Sequence, residues 1–252
     1  MTTVSIKKAT GLSMAAACAL LCSSVAGAAA PKGPPDFTGV WTNAGAPAIG
    51  GTTGPAAQPL PIRPEAKARV DAYQKLVTPL GETPGGWCLG TGLPGSMLGS
   101  GGYPMEIIQR PEQITIVYEA HNETRRVYFG ARNAPQNDRV PGRNGYSTGH
   151  WEGNTLVVET DNLVDQIDQR YAHSDEAKVV ERYHLEAPDA QGRRILVADM
   201  TMTDPAFYTA PVTAQKKWAQ VPNGRLLPYE CAEENWIKRL EELAKKAGVA
   251  LP

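Results

Sequence analysis

Most features that announce a function at first sight are missing from this chain of 252 residues. Neither sign of charge dominates, with 25 Lys and Arg against 26 Asp and Glu. A phosphate backbone selects a basic field, so nucleic acid is excluded as the expected partner. There is no G-x-x-x-x-G-K-[ST] run, which argues against a nucleotide loop; Gly145–Gly149 spells G-x-S-x-G and Gly90–Gly95 spells G-x-G-x-x-G, but the first leads into a strand rather than a helix and the second lies in a glycine-rich loop with no strand before it, so neither has the context of a serine-hydrolase elbow or a dinucleotide site. No cofactor is read from the sequence. His121, His150, His173 and His184 fit no helical or finger-type zinc spacing, and no metal ligand is assigned. No apolar run reaches the roughly 20 residues of a transmembrane segment. Glycine (25) and proline (21) are plentiful instead, and their clustering in long loops excludes a helical bundle.

The first thirty residues read as a secretory signal peptide. Lys7 and Lys8 form a positive n-region, Met14 to Val25 is mostly apolar, and Ala28-Ala29-Ala30 offers an A-x-A cleavage site. A lipoprotein reading, with Cys18 acylated, leaves almost no apolar run ahead of the cut. Cleavage places the protein in the periplasm or outside the cell, with residues 31–252 as a single domain. Of four cysteines it leaves Cys88 and Cys231, an even pair in an oxidising compartment, and a disulfide is expected.

Beyond the leader, Asp36 to Thr42 has the β-branched and aromatic alternation of a first strand, with Gly39 at a close approach. Pro64 to Val77 carries Ala66, Val70, Tyr73 and Val77 at helical spacing behind a proline start. Gly81 to Tyr103 is a long glycine-rich loop. Strands are then expected over Met105–Arg110, Gln113–Ala120, Thr124–Gly130, Gly149–Glu152, Thr155–Asp161, Lys178–Leu185, Arg193–Thr203 and Thr213–Gln220, with Gly153-Asn154 a two-residue hairpin signal. A terminal helix over Ala232–Ala247 places Trp236, Ile237, Leu240, Leu243, Ala244 and Ala247 on one face, with Gly248 as its cap. Consecutive short strands with few helices predict a mainly β fold. The expected form is an antiparallel, closed, lipocalin-like barrel with an N-terminal and a C-terminal helix, because closure removes sheet edges. Such a barrel either fills its interior or holds one small ligand.

Polar residues on otherwise apolar strand faces mark candidate chemistry. Glu181 shares a face with Val179, Tyr183 and Leu185, and Tyr118 shares one with Ile114 and Ile116. Arg126 and Tyr128 share a face on the strand between. A buried carboxylate needs a cation, and Arg126 is the expected partner. One reading is a structural ion pair with satisfied tyrosines. The other is an acid/base site in which Glu181, His173 and Tyr118 are catalytic and Arg126, Tyr183 and Tyr128 bind substrate. His173-Ser174-Asp175 is expected in a polar loop at the barrel mouth.

The segments Phe37–Trp41, Pro104–Gln109, Gly149–Val158, His173-Ser174, Val180–Tyr183, Asp204-Pro205 and Cys231–Asn235 together resemble the landmarks of a large group of secreted bacterial proteins. The chain departs from that group's pattern at Tyr146 and Asn154. The resemblance implies a shared fold and no particular activity. Gly39-x-Trp41 is also similar to the opening motif of lipocalins. The function expected from the whole is a cofactor-independent lyase or isomerase acting on a small, partly apolar molecule. The alternative is a lipocalin-like carrier without catalysis.

Overall fold

The computed structural model of the chain describes residues 1–2, 33–45, 48–49, 52–53, 59–81, 83–99 and 102–248. The chain divides into two units, Met1–Lys32 and Gly33–Pro252. The signal-peptide segment lies almost wholly outside the described residues, and the described strands and helices belong to the second unit.

Eleven strands form one sheet: β1 (Gly39–Asn43), β2 (Ala48–Ile49), β3 (Thr52–Thr53), β4 (Met105–Arg110), β5 (Gln113–Tyr118), β6 (Glu123–Tyr128), β7 (Tyr146–Glu152), β8 (Thr155–Asp161), β9 (Lys178–Glu186), β10 (Ile195–Thr203) and β11 (Val212–Val221). The order is β1-β4-β5-β6-β7-β8-β9-β10-β11, and β1 also pairs with β11, with Trp41 opposite Gln220 and Asn43 opposite Trp218. That pairing closes the sheet into a nine-strand barrel. β2 and β3 form a short hairpin added to β11 beyond the end of β1.

The sequence leads to the expectation of antiparallel neighbours throughout, and one pair departs from it: β6 and β7 are parallel, with Val127 opposite Ser147 and Tyr128 opposite Thr148. Closure explains this. Direction must return to itself after one circuit, and reversing at every step requires an even number of strands. The odd barrel therefore contains a parallel junction. Phe129–Gly145 accordingly runs back the length of a strand before β7 begins.

The two ends of the barrel differ. One end carries the two-residue connections Pro111-Glu112, between Arg110 and Gln113, and Gly153-Asn154, between Glu152 and Thr155, together with the longer 187–194. At the other end emerge the long connections 44–104, 162–177 and 204–211. These carry α1 (Pro64–Val77) and the short α2 (Gly95–Leu98). α1 starts at a proline and buries Ala66, with Val70 packed against the core. Leu93, Met97 and Leu98 join the same buried cluster as the inward strand residues, so the loop end is capped by apolar side chains. Burying each such side chain contributes roughly 1.5–3 kcal/mol.

The terminal helix, α3 (Cys231–Ala247), ends at Gly248 in the left-handed conformation, whose N–H reaches the Ala244 and Lys245 carbonyls. On its expected apolar face Ala244 is buried, whereas Ile237 is exposed; the side chains of Trp236, Leu240, Leu243 and Ala247 lie outside the described residues. Among the described residues no helix is long and apolar enough to cross a membrane.

Inside the wall, alternation sorts the residues as a period of two demands. Ile114, Ile116 and Tyr118 point inward from β5, and Leu156, Val158 and Thr160 from β8. Val179, Glu181 and Tyr183 do so from β9, and Leu196, Ala198, Met200 and Met202 from β10. Gly149 faces inward on β7, where a Cβ would come within 2.8 Å of Val127 and 2.9 Å of the Phe129 ring. The missing side chain is what lets that ring fill the interior.

Candidate functional site

Toward the loop end, the apolar interior gives way to a polar cluster from five strands. Arg125 on β6 meets Glu181 on β9 in a bidentate pair, Nη1 donating to Oε1 at 2.9 Å and Nη2 to Oε2. Both side chains are sealed from solvent, at 1% and 0% exposure. The guanidinium also donates from Nε to Ser147 Oγ at 3.0 Å and from Nη2 to Thr160 Oγ1 at 2.8 Å. Ser147 and Thr160 hydroxyls lie 2.8 Å apart across β7 and β8. Tyr183 completes the carboxylate's shell, donating to Oε1 at 2.7 Å. A buried ion pair holds only when its remaining donors and acceptors find partners, and here neighbouring strands supply them.

The charges in the cluster shape its phenols. Burial pushes the Tyr118 hydroxyl pKa far above its ordinary value; the Arg125 guanidinium opposes the rise, and the Glu181 carboxylate adds to it. Burial, followed by the Glu181 carboxylate, also raises Tyr183 well above normal. For Arg125, burial works against the charge, yet the Glu181 carboxylate overrides it and the pKa rises. Both phenols are therefore neutral donors around a fixed cation and anion. Tyr183 uses its proton on Glu181. The buried Tyr118 hydroxyl makes no hydrogen bond of normal geometry among the described residues; the Arg125 guanidinium lies near its oxygen, and its proton has no acceptor.

The cap over the loop end is fastened by polar contacts of its own. Glu123 Oε1 accepts from the Gly92 N–H and from Asn144 Nδ2, both at 2.8 Å. Arg143 donates to the Gly90 carbonyl and pairs with Asp168. His173 is wholly buried here; its Nδ1 lies 2.9 Å from the Ser174 carbonyl and its Nε2 3.1 Å from the Leu93 carbonyl. The next residue meets the landmark Asp204-Pro205. Asp204 accepts from Ser174 N and Oγ at 2.6 and 2.9 Å, and from the Ala206 and Phe207 N–H groups at 3.0 and 3.1 Å. One carboxylate thus ties two loops at the barrel mouth.

Of the residues singled out from the sequence, Glu181, Tyr183 and Tyr118 come together. Arg126 does not: it is exposed on the outer face, and the cation for Glu181 is Arg125. Tyr128 is also on the outer face, stacked on Tyr146 at 5.2 Å. The correction is one of strand phase, because adjacent arginines sit on opposite faces. Val127, the one aliphatic residue of β6, carried the signal, since the residue two before it shares its face. His173, expected in a polar loop at the barrel mouth, is wholly buried, and its ring nitrogens face backbone carbonyls. Cys88 Sγ lies 3.0 Å from Asn235 Nδ2, which places it at the first turns of α3; the Cys231 side chain of the expected pair lies outside the described residues.

Ser147, Thr160 and Lys216 escaped the sequence reading. Lys216 lies on the inward face of β11 opposite Ala198, is 3% exposed, and donates from Nζ to the Gly45 carbonyl at 2.9 Å. Among the described residues no cluster of three or more His, Cys, Asp or Glu is arranged to hold a metal ion. No protein-family model matches the chain, and no curated protein matches it either.

Proposed function

We propose that the protein is a ligand-binding barrel, exported to the cell envelope as its leader segment and its resemblance to secreted proteins suggest. On this reading it holds a small, partly apolar molecule by an acceptor oxygen at Tyr118. The observation that carries the reading is the unpartnered Tyr118 hydroxyl inside a cluster whose other members are satisfied. A buried donor without a partner costs about 1–3 kcal/mol, and a ligand oxygen would offset that. The Arg125 guanidinium beside it favours an oxygen bearing negative charge.

Binding is favoured over acid/base catalysis by the state of Glu181. A general base needs a lone pair directed at substrate. Here Oε1 accepts from Arg125 and Tyr183, and Oε2 accepts from Arg125. The carboxylate's work is to hold the guanidinium in place. A covalent link between Cys88 and Cys231 belongs to the same proposal, since it would fasten α3 beside the cap.

Native mass spectrometry of protein purified from its own cell envelope tests this, with a retained small molecule as the expected result. Tyr118→Phe should weaken its retention about tenfold, the equivalent of one hydrogen bond. Equal retention by wild type and Tyr118→Phe would move the ligand elsewhere. Turnover of the retained molecule, abolished in Glu181→Gln, would restore the catalytic reading.

A further inference from the structure

Among the described residues the barrel interior holds two basic side chains, and they are treated differently. Arg125 has a carboxylate, two hydroxyls and a precise fit. Lys216 has one backbone carbonyl among the described residues, that of Gly45. No charged group acts on its titration, and burial alone lowers its pKa from the ordinary lysine value. The segment that follows Gly45, residues 46–58, contains no Asp or Glu. An ammonium taken from water without a counter-ion is strongly disfavoured. Burial therefore shifts the balance toward the neutral amine, which is the nucleophilic form.

The surroundings suit a reaction partner of one kind. Lys216 is opposite Ala198, which in turn is opposite Tyr183, so in the register the smallest inward side chain of β10 stands between Lys216 and Tyr183, while Nζ itself reaches the Gly45 carbonyl on the β1 side. Trp218, two residues along the same inward face, lies over Tyr183 with ring centroids 6.4 Å apart. Met200 and Ala214 line the adjacent row. An amine among apolar and aromatic walls attracts an apolar electrophile, and a carbonyl carbon is the electrophile an amine takes reversibly.

We propose that Lys216 is a covalent attachment site for a small, partly apolar aldehyde or ketone, held inside the barrel as an imine. The Nζ lone pair attacks the carbonyl carbon and the carbonyl oxygen gains a proton. The carbinolamine then expels that oxygen as water, leaving a carbon–nitrogen double bond and no change of oxidation state. The proposal rests on the barrel being ligand-binding and names the class of ligand.

Benzaldehyde with cyanoborohydride tests it on the folded, full-length protein near neutral pH. Reduction fixes any imine as a benzyl amine that peptide mass mapping locates. Lys217 is the internal control: it is the next residue, faces outward and pairs with Glu186 at 2.7 Å. Labelling at Lys216 should exceed that at Lys217 severalfold, since the lowered pKa leaves a larger neutral fraction at Lys216. Lys216→Met should lose that adduct while keeping its far-ultraviolet circular dichroism. Labelling of Lys217 and Lys67 with Lys216 untouched would overturn the proposal. Benzyl alcohol, which resembles the probe but cannot condense, separates the two readings. A thermal shift with benzyl alcohol and no Lys216 adduct would leave the binding barrel standing and remove the covalent site. No shift and no adduct would remove both.

Discussion

Glu181 and Tyr118 sit in one cluster yet predict opposite consequences of substitution. Glu181→Gln removes the negative partner and leaves a buried guanidinium, so stability should fall by about 3–5 kcal/mol, read by chemical denaturation. Tyr118→Phe removes an oxygen that forms no hydrogen bond of normal geometry among the described residues, and denaturation should show stability unchanged or slightly raised. Lys216 adds a pH dependence of definite sign. Its pKa is lowered in the folded state from the ordinary 10.5, so the unfolded chain binds the extra proton and stability rises with pH through the window below that value. Tyr118 and Tyr183, raised in the fold, act the other way above about 10, where the unfolded phenols ionise. The difference between wild type and Lys216→Met isolates the lysine's share, and a difference that does not change between pH 7 and 10 would contradict it. The inward place of Glu181 was legible because Val179, Tyr183 and Leu185 share its period. The identity of its cation was ambiguous, since Arg125 and Arg126 are adjacent and only Val127 fixes the phase. Lys216 shares its period with Val212, Ala214 and Trp218, but a lysine beside the exposed Lys217 carries no signal of its own in the sequence.

At the level of elements, the sequence named nearly every strand, because hairpin signals such as Gly153-Asn154 and period-two alternation are local. α1 was read to the residue from its proline start and apolar spacing. The parallel junction between β6 and β7 was not legible, since parity belongs to the closed ring and to no single strand. The cap was hidden too, because Leu93, Met97 and Leu98 lie in a glycine-rich loop without periodicity. Gly149 couples strand to packing. Gly149→Ala should destabilise by about 1–3 kcal/mol through overpacking against Phe129, and Phe129→Leu in the same chain should recover part of the loss. Two independent effects that simply add would show that the ring is not what the glycine accommodates.

For the whole molecule, the uneven distribution of connections makes one barrel end a set of turns and the other a built mouth. If Cys88 and Cys231 are joined, free-thiol titration of the denatured, unreduced protein finds neither, and reduction lowers stability by about 3–5 kcal/mol. Two free thiols there would refute the link. The parallel junction has a longer reach than its two residue pairs suggest. On one side of it lie β4, β5 and β6, joined by short connections; on the other, β7 and β8 join through a two-residue turn. Each group can form from neighbours along the chain, whereas the β6–β7 contact must wait for Phe129–Gly145 to fold back. The barrel therefore has a thin seam there, two residue pairs against nine in the β9–β10 ladder. In native-state hydrogen exchange the amides at Val127 to Tyr128 and Ser147 to Thr148 should open at lower free energy than those of the β9–β10 ladder, marking where the ring parts before it unravels.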